Sequence, residues 1–224
     1  MATPGKLVRA VADMLGAPEA TVIQHDRNLV AAGLRSKGGR GLSAAQVTSR
    51  DAANLLIAIC GASPFGASVK ETVTTYHRFA PLRAFRGRKL GNFSRVKSQF
   101  PTLGLLPDGH SFRDALAALI DSIAAGEFKW HQWDSGDVYV SFHDLGPTAS
   151  INVRGDSSIW LSYRQTEHLP DLGADLRQDR SFSITTLREL AHVVGATSAA
   201  ELTPTAPEQK KPKMPRFGGN DGEV

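Results

Sequence analysis

Two carboxylates and a lysine, Asp108, Glu127 and Lys129, are the residue types that hold a divalent metal ion and assist an attacking water. That chemistry needs its side chains on neighbouring strands of one sheet. Between them, residues 111–125 (SFRDALAALIDSIAA) carry the apolar spacing of a full amphipathic helix. Pro107-Asp108 is also good turn chemistry ahead of that helix. A second group, His131, Asp134, Asp137, His143 and Asp144, contains metal-ligand types. Asp134 and Asp137 flank Ser135-Gly136, a hairpin turn, and His143 ends a strand-like run, so these read as turn acids and surface histidines. Cys60 sits on an apolar segment and reads as a small buried hydrophobe. No serine stands in a nucleophile-elbow context, and no G-x-x-x-x-G-K-[ST] phosphate loop occurs. The expectation is a non-enzyme with no metal and no cofactor.

A different chemistry, the reading of bases and phosphates, is available upstream. Gln24 and Asn28 lie one helical turn apart, and each amide can pair bidentately with adenine. Thr21, His25 and Arg27 flank them as candidate phosphate contacts. Arg35 stands at the hinge before Lys37-Gly38-Gly39-Arg40-Gly41, two cations and three glycines in five residues. Glycines let a backbone turn tightly and approach a phosphate strand with no Cβ in the way. Lys37 and Arg40 supply charge, and Arg40 is suited to a minor groove. Residues 76–97 hold seven Arg and Lys and no acid. Arg86, Arg88 and Lys89 there extend the candidate footprint. The interleaved Tyr76, Phe79, Phe85 and Phe93 read as core anchors more than as base-stacking rings.

The charge distribution points the same way. The 224 residues carry a net charge of +4, but the two halves oppose each other. Residues 1–100 hold 15 Lys and Arg against 5 Asp and Glu, and residues 101–200 hold 7 against 13. A basic half joined to an acidic half fits a polyanion meeting only the first.

The elements that must position these residues follow from periodicity and punctuation. Leu7, Val11, Met14 and Leu15 share one helical face, and Gly16 ends that helix. The next helix, Pro18 to Ala32, has Val22, Ile23, Leu29 and Val30 inward and Gly33 as its stop. Asp26 interrupts that inner stripe and calls for a cation such as Arg9. Thr48-Ser49-Arg50-Asp51 has capping-box spacing before Arg50–Cys60, a helix apolar on nearly all sides. Residues 67–76 form a short helix, and Ser111 caps residues 111–125. The period then changes. Residues 129–133, 138–143, 148–154 and 158–164 read as an antiparallel meander, residues 165–180 as loop, and 186–194 as a final helix with Thr186 and Glu189 at capping-box spacing. Trp130, Trp133 and Trp160 read mainly as core of this second unit, with a partner or ligand surface as the alternative.

Helix, short turn, helix and tight basic hairpin is the element order of a winged helix-turn-helix. Residues 6–60 resemble the compact DNA-binding domain of that kind found among bacterial and phage regulators. "VADMLGAPEATVIQHDRNLVAAGL" stands for the two helices and "RSKGGRGLSAAQVT" for the wing. The resemblance covers about a quarter of the chain, and its wing is short with few β-branched residues beside the glycines. It implies a transcriptional regulator binding duplex DNA as a homodimer or higher oligomer on repeated half-sites. A phage-type DNA-packaging or structural adaptor carrying the same head is the alternative. The Pro107-Asp108…Glu127-Phe128-Lys129 run also resembles the PD…ExK nuclease pattern, which implies a metal-dependent nuclease as a second alternative.

The expected fold class is α+β. A mostly helical winged-helix domain (1–66) is followed by a basic helical or linker segment (67–107), then by an acidic domain (108–200) holding the small antiparallel meander with flanking helices, for assembly or for ligand or partner binding. A Pro-, Gly- and Lys-rich tail (201–224) is expected to be disordered. The lone cysteine and the absence of a long apolar block in the N-terminal region point to a cytoplasmic protein with no membrane partner.

Overall fold

The computed structural model of the chain describes residues 3–36, 46–62, 69–85, 100–127, 137–144, 146–154, 159–165 and 179–195. Residues 37–45 of the expected wing (35–48), the Arg86–Lys97 stretch, the expected strand at 129–133 and the tail lie outside the described residues.

Helix α1 (Pro4–Leu15) starts where Thr3 Oγ1 accepts from the Lys6 amide and ends at Gly16, whose φ of 62° is the left-handed cap that glycine adopts at little cost. Helix α2 (Glu19–Ala31) buries Val22, His25, Asp26 and Leu29. It leaves Ala20, Gln24, Arg27 and Ala31 exposed along one stripe. Helix α3 (Ser49–Cys60) opens on the expected capping box, in which Thr48 Oγ1 accepts from the Asp51 amide and the Asp51 carboxylate accepts from the Thr48 amide. Every residue from Asp51 to Ala58 is buried, so α3 is the central helix. Gly61 follows it against Phe79, where a Cβ would meet Phe79 Cδ2 at 2.7 Å.

A single 3-10 turn (Val69–Glu71) leads into α4 (Thr72–Phe79), and the two-residue strand β1 (Arg83–Ala84) follows. The short α5 (Pro101–Gly104) precedes α6 (Phe112–Ala124), capped by Ser111 as the sequence predicts. Strands β2 (Asp137–His143), β3 (Thr148–Arg154), β4 (Ile159–Arg164) and β5 (Asp179–Ser183) complete the sheet, and α7 (Ile184–Val194) closes the described chain. The sheet order is β1-β4-β3-β2-β5, with every neighbouring pair antiparallel. The protein is therefore α+β. Among the described residues, no helix is long and apolar enough to cross a membrane.

The sheet differs from the expected meander in two places. Residues 179–183, placed at the end of a loop and its exit, form β5, with Phe182 opposite Val140. Arg83 and Ala84, inside the basic stretch, form β1 opposite Arg164 and Tyr163. Neither segment has apolar alternation of its own, and pairing with a neighbour made it a strand. Helix α7 also starts two residues early. Ser183, not Thr186, caps it, with Ser183 Oγ accepting from the Thr185 amide.

One face of the sheet supplies the core. Val138, Val140, Phe142, Ala149, Ile151, Val153, Ile159, Tyr163 and Phe182 are buried against the helices. Phe142 is the hub, with ring centroids of Phe79, Phe112 and Phe182 at 5.4, 5.3 and 6.2 Å. Burying one such side chain contributes about 1.5–3 kcal/mol, which makes this aromatic cluster a main anchor of sheet to helices. Segments 1–66 and 108–200 share this one core. Helix α1 packs on α7, and α3 packs on α6, where Ser49 Oγ donates to the Asp121 carboxylate at 2.9 Å.

Candidate nucleic-acid interface

Each candidate contact on α2 has a definite place. Gln24 and Arg27 are exposed and Thr21 is half-buried. Asn28 turns inward. Its Nδ2 donates to the Val69 carbonyl at 2.6 Å and lies 3.3 Å from Thr72 Oγ1, while its Oδ1 accepts from Gln24 Nε2 at 3.2 Å. Its amide fastens α2 to the start of α4, so it leaves the set of candidate base readers. His25 is fully buried, with Nδ1 2.9 Å from Thr72 Oγ1, and cannot reach a phosphate. The Thr72 hydroxyl already donates to the Val69 carbonyl at 2.5 Å. Its lone pair must therefore accept from His25 Nδ1–H, which leaves Nε2 as the bare nitrogen, buried with no partner. Burial holds the His25 pKa below the usual histidine value.

Arg35 also departs from expectation. It lies beneath the surface, and its Nη2 donates to Asp26 Oδ2 at 2.8 Å with Nε 2.5 Å from Oδ1. The two side chains are only 8% and 10% exposed. Asp26, the acid that breaks the inner stripe of α2, is thus matched by Arg35 nine residues on, not by Arg9. A guanidinium with its Nε–Nη2 edge against a carboxylate and its Nη1 donating to the Ser36 carbonyl at 3.2 Å has little left for DNA.

The same region reveals a device that sequence spacing shows only in part. The Asp51 carboxylate accepts from the Ser36 amide at 3.0 Å through Oδ1 and from the Thr48 amide at 2.9 Å through Oδ2. Asn54 Nδ2 donates to the Leu34 carbonyl. One buried acid therefore holds both ends of segment 37–47, the segment that carries Lys37, Gly38, Gly39, Arg40 and Gly41. The capping half of this role is legible as Thr48-x-x-Asp51; the grip on Ser36 is tertiary. Asp51→Ala should cost about 2 kcal/mol by orphaning these donors, read as a shift in the urea midpoint.

Among the described residues, Glu127, His143 and Asp144, which suggest hydrolysis or metal binding, have other partners. The Glu127 carboxylate accepts from the Thr102 amide at 3.2 and 3.1 Å and from the Thr102 hydroxyl, capping the short α5. Asp108 is exposed in the turn before α6, and Lys129 lies outside the described residues. His143 Nδ1 contacts Asp179 at 2.6 Å, and Asp144 pairs with Arg78 at 2.8 Å. His131 and Asp134 lie outside the described residues. Burial pushes the Cys60 thiol up to about 12, so it is a poor nucleophile at neutral pH.

The last correction concerns Trp160. It is 57% exposed on β4, on the face of the sheet away from the helices, instead of filling the core. Trp130 and Trp133 lie outside the described residues. No protein-family model, no curated protein and no solved structure matches this chain.

Proposed function

We propose that this protein binds duplex DNA through the exposed stripe of α2 and the basic glycine segment that follows it, and that it acts as a transcriptional regulator of winged-helix type. The observation that carries the reading is the Asp51 clamp. The segment bearing Lys37 and Arg40 leaves and re-enters the fold at one buried carboxylate, and its leading end is tied through Arg35 to Asp26 on α2. A cationic finger on a fixed base loses less freedom on binding than a free loop. Gln24 and Arg27 stand exposed on the same helix. Gln24 supplies the base-reading amide, and Arg27, Lys37 and Arg40 supply phosphate contacts. Arg86, Arg88 and Lys89 extend the charge. The excess of 15 cations over 5 acids in residues 1–100 supports a polyanionic partner.

Selection of bound fragments from random duplex DNA tests the proposal. An enriched motif is expected, together with a repeated half-site if the protein binds as a dimer. Salt-dependent binding with no motif would favour the packaging-adaptor role, and light scattering would then report a ring. Lys37→Ala with Arg40→Ala should flatten the slope of log affinity against log salt by about 1.8, two phosphate contacts' worth. An unchanged slope would remove the glycine segment from the interface.

A further inference from the structure

The outer face of the sheet has a composition of its own. On β4 the inward Ile159 and Tyr163 are buried, while Trp160 and Arg164 point the other way and are exposed. Phe85, directly after β1, is 44% exposed and bonds to this edge through its amide and the Ser162 carbonyl at 2.8 Å. The Arg164 guanidinium lies 3.1 Å above the Phe85 ring. Farther along, the Arg154 guanidinium lies 5.3 Å from the centre of the Tyr139 ring. A single exposed aromatic is ordinary. The placement of the cations around these rings is not.

Arg83 and Arg164 are direct cross-strand partners. Like charges directly opposite each other destabilise a strand pair. No carboxylate among the described residues pairs with either of them, and Arg83 Nη1 donates to the Gly109 carbonyl at 3.2 Å. Arg154, by contrast, stands opposite Asp137. Two guanidiniums opposite each other, without a carboxylate partner among the described residues and beside exposed rings, complement an anion that also offers flat apolar surfaces. Trp160 and Arg164 lie four residues apart on one strand, so roughly 13 Å separates the stacked pair from the indole. That spacing suits an extended chain rather than a small anion. A duplex keeps its base faces inside the stack, whereas a single strand exposes them.

We propose that this face, at its β1–β4 edge, binds single-stranded nucleic acid. Unpaired bases stack on Trp160 and on the Arg164 plane above Phe85, and Arg83 and Arg164 hold the phosphates. The stacked guanidinium is already ordered, which favours a base on its free side. This site is separate from the duplex surface on α2 and does not depend on it.

The test is fluorescence anisotropy of the full chain with oligothymidylate and oligouridylate of roughly 16 nucleotides, within the range of such sites. A labelled duplex is measured in parallel. Trp160→Ala is expected to weaken single-strand binding about tenfold, and Trp160→Phe to restore most of it, because stacking survives. Arg83→Ala with Arg164→Ala should weaken it further and lower its salt dependence. Duplex affinity should change less than about twofold in both Trp160 variants. Equal response to both oligomers means recognition through base and phosphate alone, and a preference for oligouridylate means the 2′-hydroxyl is read too; either supports the site. Absence of single-strand binding at low salt, or wild-type binding by Trp160→Ala with an unchanged thermal melt, would overturn it. Parallel loss of duplex and single-strand binding would overturn it as well, by placing both on one surface. A protein that binds single strands through Trp160 but no duplex would keep this site and refute the α2 reading.

Discussion

Arg35→Ala is expected to destabilise the fold by roughly 3–5 kcal/mol, because it leaves the Asp26 carboxylate buried and without its cation. For a chain of this size that corresponds to a fall in melting temperature on the order of 10 °C. The physical origin is the asymmetry between making and breaking a buried ion pair. Forming it costs the hydration of both ions, and their attraction roughly repays that cost. Removing one partner forfeits the attraction while the other charge stays out of water. Two further variants separate this account from a simple loss of packing. Asp26→Asn in the Arg35→Ala background should recover much of the stability, since it removes the stranded charge. Asp26→Leu with Arg35→Met should approach the wild type, because an apolar pair of similar volume avoids the desolvation cost. A double-mutant cycle in urea would give the coupling energy directly. If Arg35 were instead a phosphate contact, Arg35→Ala would lower DNA affinity and leave the melt unchanged. That outcome would refute the buried pair.

Acid should weaken the fold well above the range where carboxylates protonate. His25 and His110 are both buried, and burial lowers the pKa of each below the usual 6.5. At His110 the burial effect outweighs the Pro107 carbonyl, which favours the protonated ring. The hydrogen bonds explain why protonation is resisted. His110 Nδ1 donates to the Pro107 carbonyl at 3.0 Å, so Nε2 is the bare nitrogen that accepts from the buried Tyr163 hydroxyl at 3.1 Å. A proton on Nε2 would turn that acceptor into a donor facing a hydroxyl. At His25 the bare Nε2 faces no partner at all, so a proton there would be buried unsatisfied.

The sign follows from linkage. A histidine whose folded pKa is depressed contributes stability that is fully present above its unfolded value. As pH falls, the unfolded chain takes up the proton first, and the contribution is lost through the folded pKa. Unfolding free energy should therefore be flat above pH about 7. Below about 6.5 it should fall with a slope of up to about 1.4 kcal/mol per pH unit for each histidine. Urea unfolding at a series of pH values measures it. His25→Gln and His110→Gln should each lower stability at neutral pH and flatten the slope; an unchanged slope in both would remove these residues from the linkage.

How much of this was legible beforehand depends on the range of the forces involved. The helix starts at Thr48 and Ser111, the stops at Gly16 and Gly33, and the alternation of Val138, Val140 and Phe142 are local statements. Capping, left-handed glycine and period-two burial need only a few neighbouring residues. The polar stripe of α2 was partly legible. Gln24 and Arg27 face outward as the 3.6-residue period requires, but that period cannot say that α4 will pack over Asn28 and His25.

The amino-acid order by itself determined the α+β composition, most helix limits, the three central strands and the separation of a basic half from an acidic one. Tertiary structure decided which polar groups are spent inside. Arg35 serves Asp26, Asp51 grips Ser36 as well as Thr48, Glu127 caps α5, and Trp160 is left in water. It also decided that residues 83–84 and 179–183 are strands, through partners far away in the chain. The reason is common to all of these. A hydrogen-bonding or charged group is committed by whatever lies opposite it in space, and local periodicity holds no information about that neighbour.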